Sequence, residues 1–309
     1  MPRRYLLISP CRDEAEFLQR TIDAIAKQTV PPAKWLVVDD GSKDETPQIL
    51  ARAAAQHPFI QVVRREDRGQ RSVGPGVIDA FYFGLSHVNL DDYDYVCKLD
   101  CDLDFGPRYF ERCMECFEAD PWLGTLSGKL YLTGANGTLE HERTGDENSV
   151  GPAKFYRVAC FKDIGGFVRE VCWDGIDGHM SRVKGWVARS VDEPELRIHH
   201  LRQMGSSHIG IWHGRKRWGR GKYFMGSAPL YMAAVCLYRM FEKPYVVSGL
   251  GILIGYLQAG LQRAPRMKDP DYVAALRRFE RGSLLRGKRR TTDQLHEEIR
   301  RRPPRQPSS

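Results

Sequence analysis

The chain has 309 residues, 42% hydrophobic and 28% charged, which excludes a disordered protein and suits one large α/β domain with appendages. Its net charge of +8 is uneven: residues 263–309 hold fourteen Lys/Arg against six Asp/Glu, and the preceding 262 hold thirty-three of each. A nucleic-acid enzyme spreads positive charge along its binding face, so nucleic acid is not an expected partner; a basic tail meets an anionic membrane surface or simply solubilises.

Residues 5–8 are short and apolar and read as a first strand. Ser9-Pro10-Cys11-Arg12-Asp13-Glu14 turns after it, its acidic end suited to a helix N-terminus. Phe17, Leu18, Thr21, Ile22 and Ile25 then recur at helical spacing, and Pro31-Pro32 ends that helix. Residues 35–38 form a second strand that runs into Asp39-Asp40-Gly41-Ser42. Cap-type residues open a helix over 46–56, and 60–63 is a third strand. Gly69, Gly74 and Gly76 lead into a helix carrying Val77, Ile78, Phe81 and Leu85. Residues 95–99 are a fourth strand, ending in Asp100-Cys101-Asp102. This alternation predicts an α/β fold with a mostly parallel, Rossmann-like sheet and helices on both faces. Its acidic signatures fall at carboxyl strand ends, where open α/β sheets bind ligands.

Further on, 123–132 reads as a strand, and the polar, Gly-rich stretch 134–152 as a mobile loop that closes over substrate or only connects. Residues 155–161 and 177–187 read as helices, and 196–199 as a late strand. Two apolar stretches follow, 226–238 and 245–261. Both fall short of the roughly 20 residues of a comfortable membrane span. Amphipathic interfacial or re-entrant helices are therefore favoured over ordinary core helices, and a tight transmembrane helix stays open for 245–261. Beyond about Arg281 apolar periodicity fades, and disorder is expected near Pro303-Pro304. The expected division is a catalytic domain over 1–222, membrane-associated helices over 223–265 and a basic, partly disordered tail over 266–309. With no signal peptide before the first strand and eight scattered cysteines, a reduced cytoplasmic setting is expected. Cys97, Cys101, Cys113 and Cys116 invite a zinc reading but are read as buried thiols.

The chain offers a candidate for each task of sugar transfer from a nucleotide diphosphate. To grip the nucleotide, Asp40 can accept hydrogen bonds from a base edge or ribose, while Asp39 braces the loop. Pro10, Arg12, Asp13 and Glu14 occupy the neighbouring strand end, and Arg71 can reach the base or a phosphate. For the diphosphate, Asp100 and Asp102 project one way as residues i and i+2. A divalent cation, Mg or Mn, held there would offset charge on the leaving group. Asp104 extends the run, so the ligand pair is not unique. His200, among several nearby histidines, is the candidate nitrogen ligand, with a structural histidine the alternative. A calcium-loop reading fails because the downstream Glu and sixth-position Gly are missing. As base for the acceptor hydroxyl, Asp177 is placed at a helix start, with Asp174 second; helix capping is the plain alternative. Arg217 and Trp218, in a stretch of four cations and two tryptophans over 212–221, suit a diphosphate clamp with a sugar-stacking surface. Such a stretch also binds single-stranded nucleic acid, but the acidic loops would repel a polyanion.

These motifs together resemble glycosyltransferase family 2, of GT-A fold, over about residues 5–222. Residues 9–14 are similar to its opening Pro-x-x-Asn-Glu turn, with Arg12-Asp13 in place of the usual Tyr-Asn. Residues 37–42 match its most recognisable signature. Gly69 to Gly74 is similar to its Gly-x-x-x-Ala-x-Asn segment without the Asn. Asp100-Cys101-Asp102 matches its metal motif, and 155–167 resembles the block that precedes the base. Asp177 falls where a Glu-Asp pair carries that base, with Ile176 in place of the Glu. Residues 215–218 resemble the Gln-x-x-Arg-Trp of processive synthases, but Gly214 stands where the Gln would be, which argues against processivity. The resemblance implies inverting transfer onto a hydroxyl, with a lipid-linked glycan in surface polysaccharide assembly as acceptor. It also implies a peripheral place on the cytoplasmic face of a bacterial inner membrane. A nucleotidyltransferase and a degenerate, non-catalytic module are the alternatives. The acidic turn after strand one, which lacks Gly, opposes the first, and three retained acidic clusters oppose the second.

Overall fold

The computed structural model describes residues 3–303 apart from 68, 70–73, 135, 143, 203–209 and 243. The first half alternates as the apolar runs dictate: β1 (Tyr5–Cys11), α1 (Ala15–Ala26), β2 (Lys34–Asp39), α2 (Thr46–Gln56), β3 (Ile60–Arg64), α3 (Pro75–Leu85) and β4 (Tyr95–Leu99). Next come β5 (Leu103–Phe105), α4 (Tyr109–Ala119), β6 (Leu123–Gly128), β7 (Leu130–Thr133), β8 (Leu139–His141), β9 (Ala153–Arg157), α5 (Val158–Asp163), α6 (Trp173–Val183), β10 (Val187–Val191) and β11 (Ile198–His200).

One seven-stranded sheet has the order β10-β6-β9-β4-β1-β2-β3. All its pairings are parallel except those of β9, which runs against β4 and β6. Strands buried on both faces read as continuous apolar runs, and period-two alternation divides their side chains. Tyr5, Leu7, Trp35, Val37 and Leu99 face one core layer with α4, while Leu6, Ile8, Leu36, Val38 and Val96 face the other with α3 and α5. Each large side chain so buried contributes about 1.5–3 kcal/mol. A smaller sheet of order β5-β11-β7-β8 stands beside it.

Registers level the carboxyl ends. Cys11 pairs with Asp39, Asp39 with Arg64, and Ile8 with Lys98. The loops after β1, β2 and β4 therefore open at one edge of the sheet.

The last third is helical: α7 (Gly210–Met225), α8 (Pro229–Met240), α9 (Val247–Leu261), α10 (Pro270–Arg286) and α11 (Lys288–Arg300). Glycines set the α7–α9 contact. A Cβ on Gly219 would stand 2.0 Å from Ile252 O, and one on Gly255 would stand 2.0 Å from Lys216 O, so the two backbones touch. The outer faces of α8 and α9 and the turn between them are bare: Leu230, Leu237, Tyr238, Phe241, Tyr245 and Leu261 are all exposed. No helix among the described residues is long and apolar enough to cross a membrane.

Several sequence expectations need correction. Residues 153–157 are a strand before a short helix, because β9 is covered on both faces and so lacks the alternation that marks a strand. Residues 123–133 split at Lys129 into strands of two different sheets. The boundary expected after 222 falls inside α7. The tail over 266–309, in which apolar periodicity fades beyond about Arg281, is nonetheless helical through Arg300. Asp269 caps α10 by accepting from Tyr272 N–H at 3.0 Å. Tyr272, Leu276 and Phe279 are buried, and Arg300 pairs with Asp120 at 2.6 Å, which ties the chain end back to the α/β body.

Candidate active site

The edge of the sheet is a charge-matched network. After β1, Asp13 takes φ +53°, a left-handed conformation that Asp tolerates better than most residues. Its Oδ1 accepts from Lys43 N–H at 2.8 Å, and its own N–H donates to Ser42 Oγ at 3.0 Å. Asp39 Oδ1 accepts from Ser42 N–H at 2.9 Å, the bracing role expected of it. Gly41, at φ +80°, passes so close to Asp67 that a Cβ would lie 2.7 Å from its Cα. Arg12 spans the two loops, donating to Asp40 O at 2.7 Å and Asp67 Oδ1 at 2.8 Å. Asp40 itself pairs with Arg65 at 3.2 Å. Pro10 lies in β1, paired with Val38. Arg71 falls outside the described residues.

The β1 loop connects directly to the acidic pair after β4. Arg202 Nη2 donates to Glu14 Oε1 at 2.9 Å and to Asp102 Oδ2 at 2.8 Å. His200 stands between Asp102 Oδ2 at 3.7 Å and Glu142 Oε2 at 2.9 Å. Burial lowers the pKa of His200, but the two carboxylates outweigh it and hold the imidazole up at about 9. Burial likewise acts to raise Asp102, but His200 and Arg202 outweigh it and keep that carboxyl below the usual range. Asp100 pairs with Lys98, whose Nζ also donates to Gly151 O at 3.1 Å. Asp104 pairs instead with Arg20 at 2.6 Å.

Of the expected trio, Asp102 and His200 stand together, while Asp100 turns to Lys98. No group of three or more His, Cys, Asp or Glu among the described residues could hold a metal ion. His200 is an ionic partner of Asp102 and Glu142 in this structure. Asp102 Oδ1, however, is buried without a hydrogen-bond partner among the described residues. An unsatisfied carboxylate oxygen beside Asp100 fits a cation that takes its remaining ligands from water and substrate phosphates, as Mg does. The four cysteines considered for zinc are free, three of them buried and Cys116 partly so.

The two base candidates lie on α6, which starts at Trp173, so Asp177 does not open the helix as expected. It sits one turn in, 2% exposed, and enclosed. Lys154 Nζ donates to Asp177 Oδ1 and Oδ2 at 2.8 and 2.6 Å, and the Tyr156 hydroxyl donates to Oδ2. Burial pushes the Asp177 carboxyl up, against the pull of Lys154 and Tyr156. Asp174, in the first turn, is half-buried and lines a cavity of 240 Å³. A Cβ on Gly151 would stand 3.2 Å from Asp174 Oδ2, so Gly151 touches Lys98, the partner of Asp100, on one side and Asp174 on the other. Of the two, Asp174 is the carboxylate open to a cavity and Asp177 is enclosed. Trp218 lines the same cavity, and Arg217 is half-buried on α7.

Sequence reasoning missed Arg202, Lys98 and Lys154. The last two carry a readable signal: a Lys in an otherwise apolar, doubly covered strand needs a buried counter-charge.

Residues 7–126 match the family described as Glycosyl transferase family 2. Over 237 residues the chain is 24% identical to a poly-beta-1,6-N-acetyl-D-glucosamine synthase of Staphylococcus epidermidis, covering 68% of this chain and 52% of that protein. A protein of the same name from Staphylococcus aureus strain COL is 27% identical over 131 residues, 42% of this chain and 29% of its own. The chain thus spans about half the length, or less, of the curated relatives it matches. Among solved structures, the mannosyltransferase PcManGT of Pyrobaculum calidifontis, in complex with GDP-Man and Mn2+, superposes with TM-score 0.51 at 17% identity, covering 96% of this chain and 84% of that one. S. aureus TarS 1–349 in complex with UDP-GlcNAc gives TM-score 0.52 at 14% identity, covering 96% and 90%. The fold they share with this chain is the GT-A fold.

Proposed function

We propose that this chain, which carries a glycosyl transferase family 2 domain over residues 7–126, is an inverting glycosyltransferase that moves a sugar from a nucleoside diphosphate donor to a hydroxyl of a glycan. The observation that carries the reading is Arg202, which ties the β1 loop to Asp102, together with Gly151, which lies between the Lys98 partner of Asp100 and Asp174. Nucleotide loop, acidic pair and accessible carboxylate thereby share one edge.

In this reading the Asp40 and Arg12 loops hold the nucleoside. Asp100 and Asp102 would hold a divalent cation, Mg or Mn, which would supply charge stabilisation for the departing diphosphate. PcManGT, similar in fold, was solved with GDP-Man and Mn2+, which supports a nucleotide-sugar donor with such an ion. Asp174 takes the acceptor proton as the hydroxyl attacks the anomeric carbon from the face opposite the leaving group. Lys154 donates to Asp174 O at 2.8 Å and so fixes the start of α6.

We further propose that the acceptor is lipid-linked and that the enzyme works peripherally on the cytoplasmic face of an inner membrane. Two observations support this. Bare apolar side chains gather on α8, α9 and their turn. Residues 210–268 hold ten Lys/Arg against one Asp/Glu, the combination that binds anionic interfaces. The test of the transfer itself is product formation from a panel of UDP- and GDP-sugars with Mg or Mn, by wild type and Asp102→Asn. Equal turnover by both proteins would remove the acidic pair from the chemistry.

A further inference from the structure

A second cavity, of 470 Å³, lies between α6, α10 and α11. It is wholly outside the matched domain, and none of the loops after β1, β2 or β4 lines it. Its volume falls within the roughly 300–1,000 Å³ usual for a small-molecule site. His179 and Phe279 line both this cavity and the smaller one beside Asp174, so the two are neighbours.

The lining is part apolar and part cationic. Val183, Ala275, Leu295 and Ile299 supply hydrocarbon, while Arg182, Arg278, Arg281 and Arg302 set four positive charges against Asp271 and Glu298. Arg278 is taken up by Glu298 at 2.7 Å. Arg182 carries the argument. It is 8% exposed, yet its guanidinium meets only neutral groups among the described residues: Glu147 O at 2.6 Å, Asn148 Oδ1 at 3.2 Å and His179 Nδ1 at 3.2 Å. A buried charge is costly unless it is paired, and burial lowers the Arg182 guanidinium to about 10. Two buried histidines feel the same excess: burial, reinforced by Arg182, holds His179 and His296 below their ordinary value. The field here is positive, and an anion would offset it. A phosphate can take forked hydrogen bonds from several guanidiniums at once. A bare inorganic ion would leave the hydrocarbon half wet; a ligand with an apolar body would cover it.

We propose that this cavity is an effector site, separate from the sheet edge, for an organic phosphate whose anion meets Arg182, Arg281 and Arg302 and whose apolar body meets Val183, Leu295 and Ile299. Its route to the candidate base is short. Arg182 clamps residues 147 and 148 to α6, and the same segment runs on to Gly151 beside Asp174 Oδ2. A phosphate that draws Arg182 away from Glu147 O loosens that clamp and slows turnover. The effector role rests on the transferase reading; the binding does not.

The test is calorimetry on the full chain with Mg and saturating UDP or GDP, so that the sheet edge is filled. AMP, octyl phosphate and inorganic phosphate are the probes, and the first two separate a nucleotide body from an alkyl one. At least one organic probe should bind about ten-fold or more tightly than inorganic phosphate. Arg281→Glu with Arg302→Glu, both exposed, should weaken that binding about ten-fold or more and leave thermal stability unchanged. Ala275→Trp, which fills the cavity and keeps its charges, should weaken it likewise. In a transfer assay the bound probe should slow wild type about five-fold or more and leave the double variant unaffected. Equal binding by wild type and the variants, inorganic phosphate as tight as the organic probes, or no organic probe bound by wild type would overturn the site. Binding without any change in turnover would overturn its effector role. Failure of wild type to bind either nucleoside diphosphate would instead strike the transferase reading.

Discussion

Asp174 and Asp177 lie three residues apart on α6 yet live in different media: Asp174 faces the cavity, and Asp177 is closed in by Lys154 and Tyr156. Their substitutions should therefore fail in different ways. Asp174→Asn should leave the fold intact and cut transfer by about 10²–10⁴, the usual contribution of a positioned base. Asp177→Asn leaves the Lys154 charge buried and uncompensated, a loss of about 3–5 kcal/mol. Chemical denaturation of both variants beside a transfer assay checks this; an Asp177→Asn protein as stable as wild type but inactive would exchange the two roles.

Chelation should act on nucleotide binding through Asp102. Titrating UDP or GDP into wild type by calorimetry with Mn, then with EDTA, should show affinity falling at least ten-fold. Asp102→Asn should bind weakly under both conditions. Metal-independent affinity in wild type would take the cation out of the account.

The apolar platform predicts membrane binding that needs both grease and charge. Wild type should co-sediment with vesicles containing phosphatidylglycerol, less with phosphatidylcholine alone, and less at high salt. Leu237→Glu with Phe241→Glu, both fully on the outer face, should abolish co-sedimentation without changing thermal stability. Retained binding by that variant, or its loss together with a smaller particle in light scattering, would assign the face to something other than lipid.

A pH effect should come from the C-terminal helix. Burial depresses His296 to about 3, helped by Arg182, Arg300 and Arg189. A folded value below the ordinary 6.5 means stability that is full above pH 6.5 and is lost as pH falls from there toward 3. At pH 5 the loss is about 2 kcal/mol, from 1.36 kcal/mol per unit. Thermal unfolding at pH 7.5 and 5 should show a drop that His296→Asn reduces. His179, also held neutral by burial, should leave a remainder of the same sign.

The acidic edge was legible in the sequence because each of β1, β2 and β4 is a short apolar run ending in acid, and a parallel sheet aligns such ends. Which carboxylate of α6 opens to a cavity was not: at a spacing of three residues, a linear pattern cannot tell the two apart. That choice is made by Lys154 and Tyr156, two residues apart on β9 and so on one face, and β9 itself was hidden by burial on both sides. The α10 and α11 helices escaped because their faces are mostly polar. What holds them is local, the Asp269 cap and the Arg300–Asp120 pair, together with a few buried rings. The basic charge looked like a property of the tail because it was counted from residue 263. Counted from residue 210, much of it falls on α7 and on the links that flank the platform helices: residues 210–268 are net +9 and residues 269–309 net +5.

The central claim is that one edge of this sheet performs sugar transfer with Asp174 as its base. Its most direct measurement is the rate of nucleoside diphosphate release from the preferred nucleotide sugar, with metal and a glycan acceptor, for wild type and Asp174→Asn across pH 5–9. The account predicts metal-dependent turnover by wild type that rises with pH through an acidic limb, and a variant slower by at least a hundred-fold with that limb gone. A variant that turns over at the wild-type rate with the same limb would contradict it.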